Sequence, residues 1–264
     1  MAERMAIVNQ KGGVGKTTTA VNLAAYLAIR GKRVILLDLD AQANATSGLG
    51  FERDDSRNGS YELLINEVPL CDCVHDSGRR NLQICPGSIH LAGAEVELAT
   101  MESRERRLRN ALDAGDLSYD YLLIDCPPSL GLLTLNALTA ADSLIVPIQT
   151  EYYALEGVTL LLDTIQSVKQ SLNPELQIFG IVLTMSDLRT QLAAQVEEEV
   201  RKAFGERVFK TVIPRNVRLS EAPSHGQAIV EYDRRSRGAE AYQQLAREVI
   251  RRSRRRGSWH KGDS

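Results

Sequence analysis

The densest chemistry in the chain is Lys11-Gly12-Gly13-Val14-Gly15-Lys16-Thr17, with Thr18 behind it. Glycines without a Cβ let backbone N–H groups turn inward around a phosphate chain. Lys16 is placed to reach β- and γ-phosphates, and the Thr17 hydroxyl to complete a Mg²⁺ shell. The strict pattern G-x-x-x-x-G-K-[ST] would put glycine at position 10, where this chain has Gln10. It carries instead a second lysine, Lys11, at the mouth of the loop. Lys11 has no evident task inside its own subunit, because Lys16 already serves the phosphates.

Three aspartates complete the set. Asp38 and Asp40 follow the apolar run Val34 to Leu37, and Asp125 closes the run Tyr121 to Ile124. In an open α/β sheet the C-terminal ends of the strands face the ligand crevice. Asp125 beside a phosphate loop is therefore expected to bind Mg²⁺ through water. Asp38 and Asp40, two apart in extended chain, point the same way. One could hold the metal's waters while the other orients an attacking water. A turn or helix cap is the plainer use of such aspartates.

These residues need a scaffold of strands and helices. Met5 to Val8 reads as a strand leading into the loop. Ala20, Leu23, Ala24 and Leu27 then repeat at helical spacing, and Gly31 ends that helix. Arg33 to Leu37 reads as a buried strand, completing a βαβ unit. Further strands are expected at 82–85, 119–125, 144–148, 179–185 and 208–213. Helices are expected at 61–66, 90–98, 103–112 and 191–204, and around Ala239, Tyr242, Ala246 and Val249. One more helix carries Leu155, Val158, Leu162 and Ile165 inward. The 191–204 helix is expected to pack through Leu192, Val196, Val200 and Ala203. Residues 51–81 give little signal. The fold class is α/β: a P-loop-like, mostly parallel twisted sheet with helices on both faces. One domain spans residues 1–250, and residues 251–264 form a basic tail.

The loop K-G-G-x-x-K-[ST] resembles the deviant Walker A loop of the ParA/MinD superfamily. The wider match resembles the ParA/Soj-type partitioning ATPases over Asn9–Thr19, Asp38–Asn44, His90–Leu98, Asp125–Pro128, Pro147–Gly157, Leu183–Thr190 and Ile213–Gly226. The resemblance implies several things. The second aspartate of D-x-D serves hydrolysis, here Asp40, which joins Thr17 and Asp125 around the metal. Adenine lies between a late strand end and a proline segment, here Met185 and Pro214-Arg215-Asn216. With no N-K-x-D guanine reader present, the nucleotide is ATP with Mg²⁺. Lys11 reaches across a two-fold axis, so that two subunits close over two ATP molecules. This chain departs from the usual D-x-D-P-Q-G-N at Ala41 and Ala43, which bears on the stiffness of that loop and so on the hydrolysis rate.

The net charge is −2, and 25% of residues are charged. Bulk composition therefore announces no nucleic-acid partner, and any such surface has to come from clustering. Arg189, Arg218, Arg251, Arg252, Arg254, Arg255 and Arg256 supply one. Members of the resembling family bind DNA nonspecifically as ATP dimers near these positions, and a ParB/Spo0J-type partner stimulates hydrolysis. A MinD-type membrane positioner is the alternative, but the apolar stripe of the last helix stops at Ile250. An amide synthase or an iron–sulfur carrier is a metabolic third class. The four cysteines fit neither a disulfide framework nor a CxxC site. With no leader and no apolar run of spanning length, the expected location is cytoplasmic and nucleoid-associated.

Overall fold

The structure is a computed structural model that describes residues 2–52, 54, 56–115, 117–151, 156–187 and 189–259. Its strands are β1 (Glu3–Ile7), β2 (Val34–Asp38), β3 (His75–Arg79), β4 (Leu82–Cys85), β5 (Tyr121–Asp125), β6 (Ser143–Gln149), β7 (Gln177–Ser186) and β8 (Val208–Pro214). They form one sheet in the order β3-β4-β2-β5-β1-β6-β7-β8. Among the described residues only β3 runs antiparallel to its neighbour; the other pairings are parallel. β1 and β2, consecutive in the chain, are separated by β5. This insertion sets Ile7, Asp125 and Asp38 side by side in register.

The helices are α1 (Lys16–Ile29), α2 (Asn44–Gly48), α3 (Ser60–Ile65), α4 (Leu70–Cys73), α5 (Leu91–Ala99), α6 (Arg107–Ala114), α7 (Leu132–Ala140), α8 (Glu156–Ser171), α9 (Gln191–Phe204), α10 (Val217–Glu221), α11 (Ile229–Tyr232) and α12 (Arg237–Trp259). Alternate strand residues point to opposite faces. Met5, Ile7, Val34 and Leu36 join a core with α1, α2 and α10 to α12. Ala6, Val8, Ile35 and Leu37 join the core under α3 to α9. α1 is buried nearly all round, including the expected Ala20, Leu23, Ala24 and Leu27. Gly31 takes φ +78 just past its end, a conformation that favours glycine.

Several expectations are corrected. Within residues 51–81 the helix expected at 61–66 is α3, but α4 and the edge strand β3, whose sequence His75-Asp76-Ser77-Gly78-Arg79 has no apolar alternation, lie there as well. The helix expected at 103–112 starts at Arg107, after a turn. α7 lies where no helix is expected from the sequence: its apolar residues are spread round every face with buried Thr134, Asn136 and Thr139 between them, leaving no helical stripe to read. In α9, Val196 and Val200 face inward as expected, but Leu192 is 43% exposed and Ala203 is exposed, with Ala193 buried in the first turn. Leu155 lies outside the described residues. α8 buries Val158, Leu161, Ile165 and Val168, with Leu162 half-buried.

α12 does not end near Ile250. It continues as helix to Trp259, so the boundary placed between residues 250 and 251 meets no break in secondary structure. Arg252 anchors this extension. Its guanidinium donates to the carbonyls of Phe179, Arg207 and Val208 and to Glu248, and it lies 4.2 Å from the centre of the Phe209 ring. Glu248, 5% exposed, also accepts from the backbone N–H of Lys210 and Thr211 and from the Thr211 hydroxyl. β8 is an edge strand, and this carboxylate caps donors that would otherwise template another chain.

Burial alone would raise the Glu248 carboxyl, but the Lys210 and Thr211 amides and Arg252 outweigh it and hold it below the ordinary glutamate value. Its folded pKa is depressed. The stabilisation is therefore present above the unfolded value of about 4.3 and is lost as pH falls through the folded one. Glu248→Gln is expected to cost about 1–3 kcal/mol at neutral pH, and the deficit should shrink in acid. Urea unfolding of both proteins at pH 7 and at pH 3 checks it. A constant deficit would remove the charge from the account.

Candidate functional site

The phosphate loop connects β1 to α1. Gly13 (φ +73) and Gly15 (φ +86) are left-handed, as the tight turn into the helix requires. Three bonds hold the loop open. Asn9 Nδ2 donates to the Pro147 carbonyl at 2.7 Å, the Lys11 amide donates to Asn9 Oδ1 at 3.0 Å, and Thr184 Oγ1 donates to the Val14 carbonyl at 2.8 Å. Asn9 and Thr184 lie in segments that carry the family resemblance, but nothing in the sequence assigned either a role. A buried polar side chain facing a loop can be assigned only once the strands are placed.

Lys16 is 7% exposed and donates to the Lys11 carbonyl at 3.0 Å. Burial pushes its ammonium below the ordinary lysine value, with Asp125 opposing. Lys11 points elsewhere: its Nζ stands 3.4 Å from Glu151, at the exposed mouth of the loop. Within one chain the two lysines therefore serve different places.

Asp125 is completely buried, and neither of its carboxylate oxygens has a hydrogen-bond partner of acceptable geometry. Burial and the neighbouring Asp38 raise its pKa well above the carboxylate range, while Thr17 and Lys16 nearby oppose the shift. An orphaned buried carboxylate beside a threonine hydroxyl fits a divalent cation whose other ligands are water and phosphate. Among the described residues no group of three or more His, Cys, Asp or Glu could hold an ion alone. Asp38 is not available to it. Its oxygens are taken by Thr46 and by the Asp40 amide. Burial raises its carboxyl to about 6. Asp40 is only half-buried, and its Oδ1 accepts the Gln42 amide at 2.9 Å.

Met185, Pro214, Arg215 and Asn216 do converge. They line a cavity of about 370 Å³ with Gly15 and Thr18, and Tyr242 of α12 also lines it. The Tyr242 hydroxyl meets Thr19 Oγ1 at 3.1 Å, tying α12 to the first turn of α1.

The arginines differ in how they are engaged. Arg189 is paired with Asp187 at 2.8 Å, and Arg218 with Glu221 at 2.9 Å and Asp233 at 3.6 Å. Arg252 is committed to the core contacts above. Arg251 and Arg254 instead line a cleft of about 430 Å³ with Arg255, Arg247, Arg30 and Lys32. The side chain of Arg256 lies outside the described residues. Arg30 and Lys32 were missed, although Arg30-Gly31-Lys32-Arg33 is a basic run at the end of α1. The three buried thiols are unreactive. Burial pushes Cys73 up to about 12 and raises Cys85 and Cys126 as well, while Cys71 is exposed.

Fold and loop together define a P-loop nucleotide-binding domain. Residues 2–178 match the family described as AAA domain. The chain is 58% identical over 249 residues to the sporulation initiation inhibitor protein Soj of Bacillus subtilis, covering 94% of this chain and 98% of that one. It is 55% identical over 246 residues to the chromosome partitioning protein ParA of Myxococcus xanthus, covering 93% and 87%. A structure of cobyrinic acid a,c-diamide synthase from Mycobacterium smegmatis, with bound ATP analogue and magnesium, superposes with a TM-score of 0.82 at 37% identity, covering 96% of both chains. This chain belongs to the ParA/Soj family of chromosome-partitioning ATPases.

The resembling motif has glycine where this chain has Ala43, and Ala43 sits at φ 47, ψ 41. A left-handed alanine costs about 1–2 kcal/mol. Glycine adds unfolded-state entropy worth about 0.4–1 kcal/mol. Ala43→Gly should therefore stabilise the chain by up to about 1 kcal/mol, whereas Ala45→Gly, inside α2, should destabilise it. Thermal unfolding of both variants decides. Equal losses would mean that Ala43 carries no strain.

Proposed function

We propose that this chain binds ATP with Mg²⁺, closes into a dimer over two nucleotides, holds DNA without regard to sequence, and lets go after hydrolysis stimulated by a ParB/Spo0J-type protein. The observation that carries the reading is the unpartnered, buried Asp125 carboxylate beside Thr17 and Lys16, with Asp40 at the end of the next strand but one from the loop. Mg²⁺ held there through Thr17 and Asp125 would neutralise phosphate charge. Lys16 supplies a fixed cation to the β- and γ-phosphates and needs no reorganisation during reaction. Asp40, half-exposed at the crevice, orients the attacking water. Met185 and Pro214 to Asn216 hold the adenine. Lys11, exposed and resting on Glu151, can swing to a second copy's nucleotide and act as an arginine finger does.

Phosphate contacts need only a cationic surface. The cleft of Arg30, Lys32, Arg247, Arg251 and Arg254 offers one without internal pairing as tight as that of Arg189 or Arg218. Those two can reach phosphate only by sharing or leaving their carboxylates. A MinD-type membrane role finds less support, since past Ile250 the helix adds mainly arginine. Among the described residues no helix is long and apolar enough to cross a membrane. The proposed location is the nucleoid.

Lys16→Ala should lose ATP binding by calorimetry, and parental affinity would overturn the loop assignment. Asp40→Ala should bind ATP and accumulate as dimer on a sizing column, while Lys11→Ala should bind ATP and stay monomeric. DNA binding is tested by salt titration on two unrelated duplexes with ADP and with ATP. Affinity should need ATP, ignore sequence, and fall with a log–log slope of about −0.9 per phosphate contact. Equal binding under ADP and ATP would sink the switch.

A further inference from the structure

The segment bearing Asp40 is fixed by one buried fork. Asp38 Oδ2 accepts the Thr46 amide at 2.9 Å and the Thr46 hydroxyl at 2.7 Å, and Asp38 Oδ1 accepts the Asp40 amide at 3.1 Å. Thr46 Oγ1 in turn accepts the Gly87 amide at 2.9 Å. Ser60 Oγ donates to the Asp38 carbonyl at 2.6 Å. Asp38, Thr46 and Ser60 are fully buried. The turn that carries Gly87 lies directly on this fork, since a Cβ there would stand 3.0 Å from Asp38 Cγ and from the Asp40 carbonyl oxygen.

We propose that Thr46 is a positioning residue for ATP hydrolysis: its hydroxyl, donating to Asp38 and accepting from Gly87, fixes the Asp38–Asp40 segment so that the Asp40 carboxylate is held toward the attacking water. The inference rests on the reading that Asp40 orients that water. The motif resembled here has proline at position 41, which restricts the backbone, and glycine at 43, which suits a left-handed turn. This chain has alanine at both, and the Thr46 fork restrains the segment. A satisfied buried network of this kind specifies one arrangement of its members. A displacement of about 1 Å at a reacting group can cost a factor of roughly 10² in rate.

Thr46→Val keeps the shape and removes both bonds of the hydroxyl. In the full chain with saturating Mg-ATP, single-turnover phosphate release should slow roughly 10- to 100-fold, while ATP affinity by calorimetry stays at the parental value. Thr46→Ser, which keeps the hydroxyl, should restore most of the rate. If Thr46→Val does not fold by circular dichroism, Thr46→Ala, which leaves room beside Asp38, carries the same comparison. Asp40→Ala runs alongside. A hydroxyl-less variant that turns over at the parental rate while Asp40→Ala is inactive overturns the inference alone. A rate loss matched by an equal loss of ATP affinity, or left unrepaired by serine, overturns it too. Asp40→Ala turning over like the parent would instead overturn the role of Asp40 on which the inference stands.

Discussion

The insertion of β5 between β1 and β2 is the constraint on which the site depends. Parallel pairing sets Ile7, Asp125 and Asp38 in one row across the sheet. The phosphate loop leaves β1 immediately beyond that row, so Lys16 and Thr17 fall next to Asp125. No local propensity could bring together residues more than a hundred positions apart. The sheet order does it with backbone hydrogen bonds alone, and in a fully buried strand the register cannot slip without turning every side chain to the opposite face. Burial then dictates the chemistry of the row. A carboxylate with no partner and an ammonium with few are both held out of water, an arrangement costly by itself and well suited to a ligand that brings phosphate and a cation.

The legible parts of the sequence were those where local pattern and tertiary placement agree. The phosphate loop is contiguous, and the strands around Asp38 and Asp125 are unbroken apolar runs, so their residues could be named before any fold existed. The converging segments at Met185 and Pro214 were named only through family resemblance, because nothing within either segment says that it meets the other. Thr46 was not named, and Asn9 was named only as the edge of a resembling segment, with no role. A polar residue in a short helix or after a strand looks solvated until its neighbours are known. Arg252 misled for a related reason: in sequence it is one arginine among several, while in the fold its guanidinium closes three carbonyls and a carboxylate. β3, an edge strand of polar residues, is held by its pairing to β4 and by Arg79, which bonds Glu231 and the Leu49 and Gly226 carbonyls. None of that is periodic.

The placement of the basic cleft narrows how a nucleotide could govern it. α1 starts at the phosphate loop and ends beside Arg30. Its 14 residues make it about 21 Å long. The Debye length at physiological salt is only about 8 Å. Through solvent, the charge of a bound triphosphate would be largely screened at Arg30, Lys32 and the arginines of α12, which limits direct electrostatic control. α1 and α12 do span both places, joined by the buried Thr19–Tyr242 contact. They are packed in one core with few voids, so they move as a body rather than flexing along their length. What nucleotide binding can change is the number of such bodies brought together. Two clefts held in a fixed relation make the second set of phosphate contacts nearly intramolecular, which raises affinity by orders of magnitude with no change in either cleft. If two copies close over nucleotide as proposed, control of DNA affinity would lie at the mouth of the loop around Lys11 and Glu151 rather than at the arginines of the cleft.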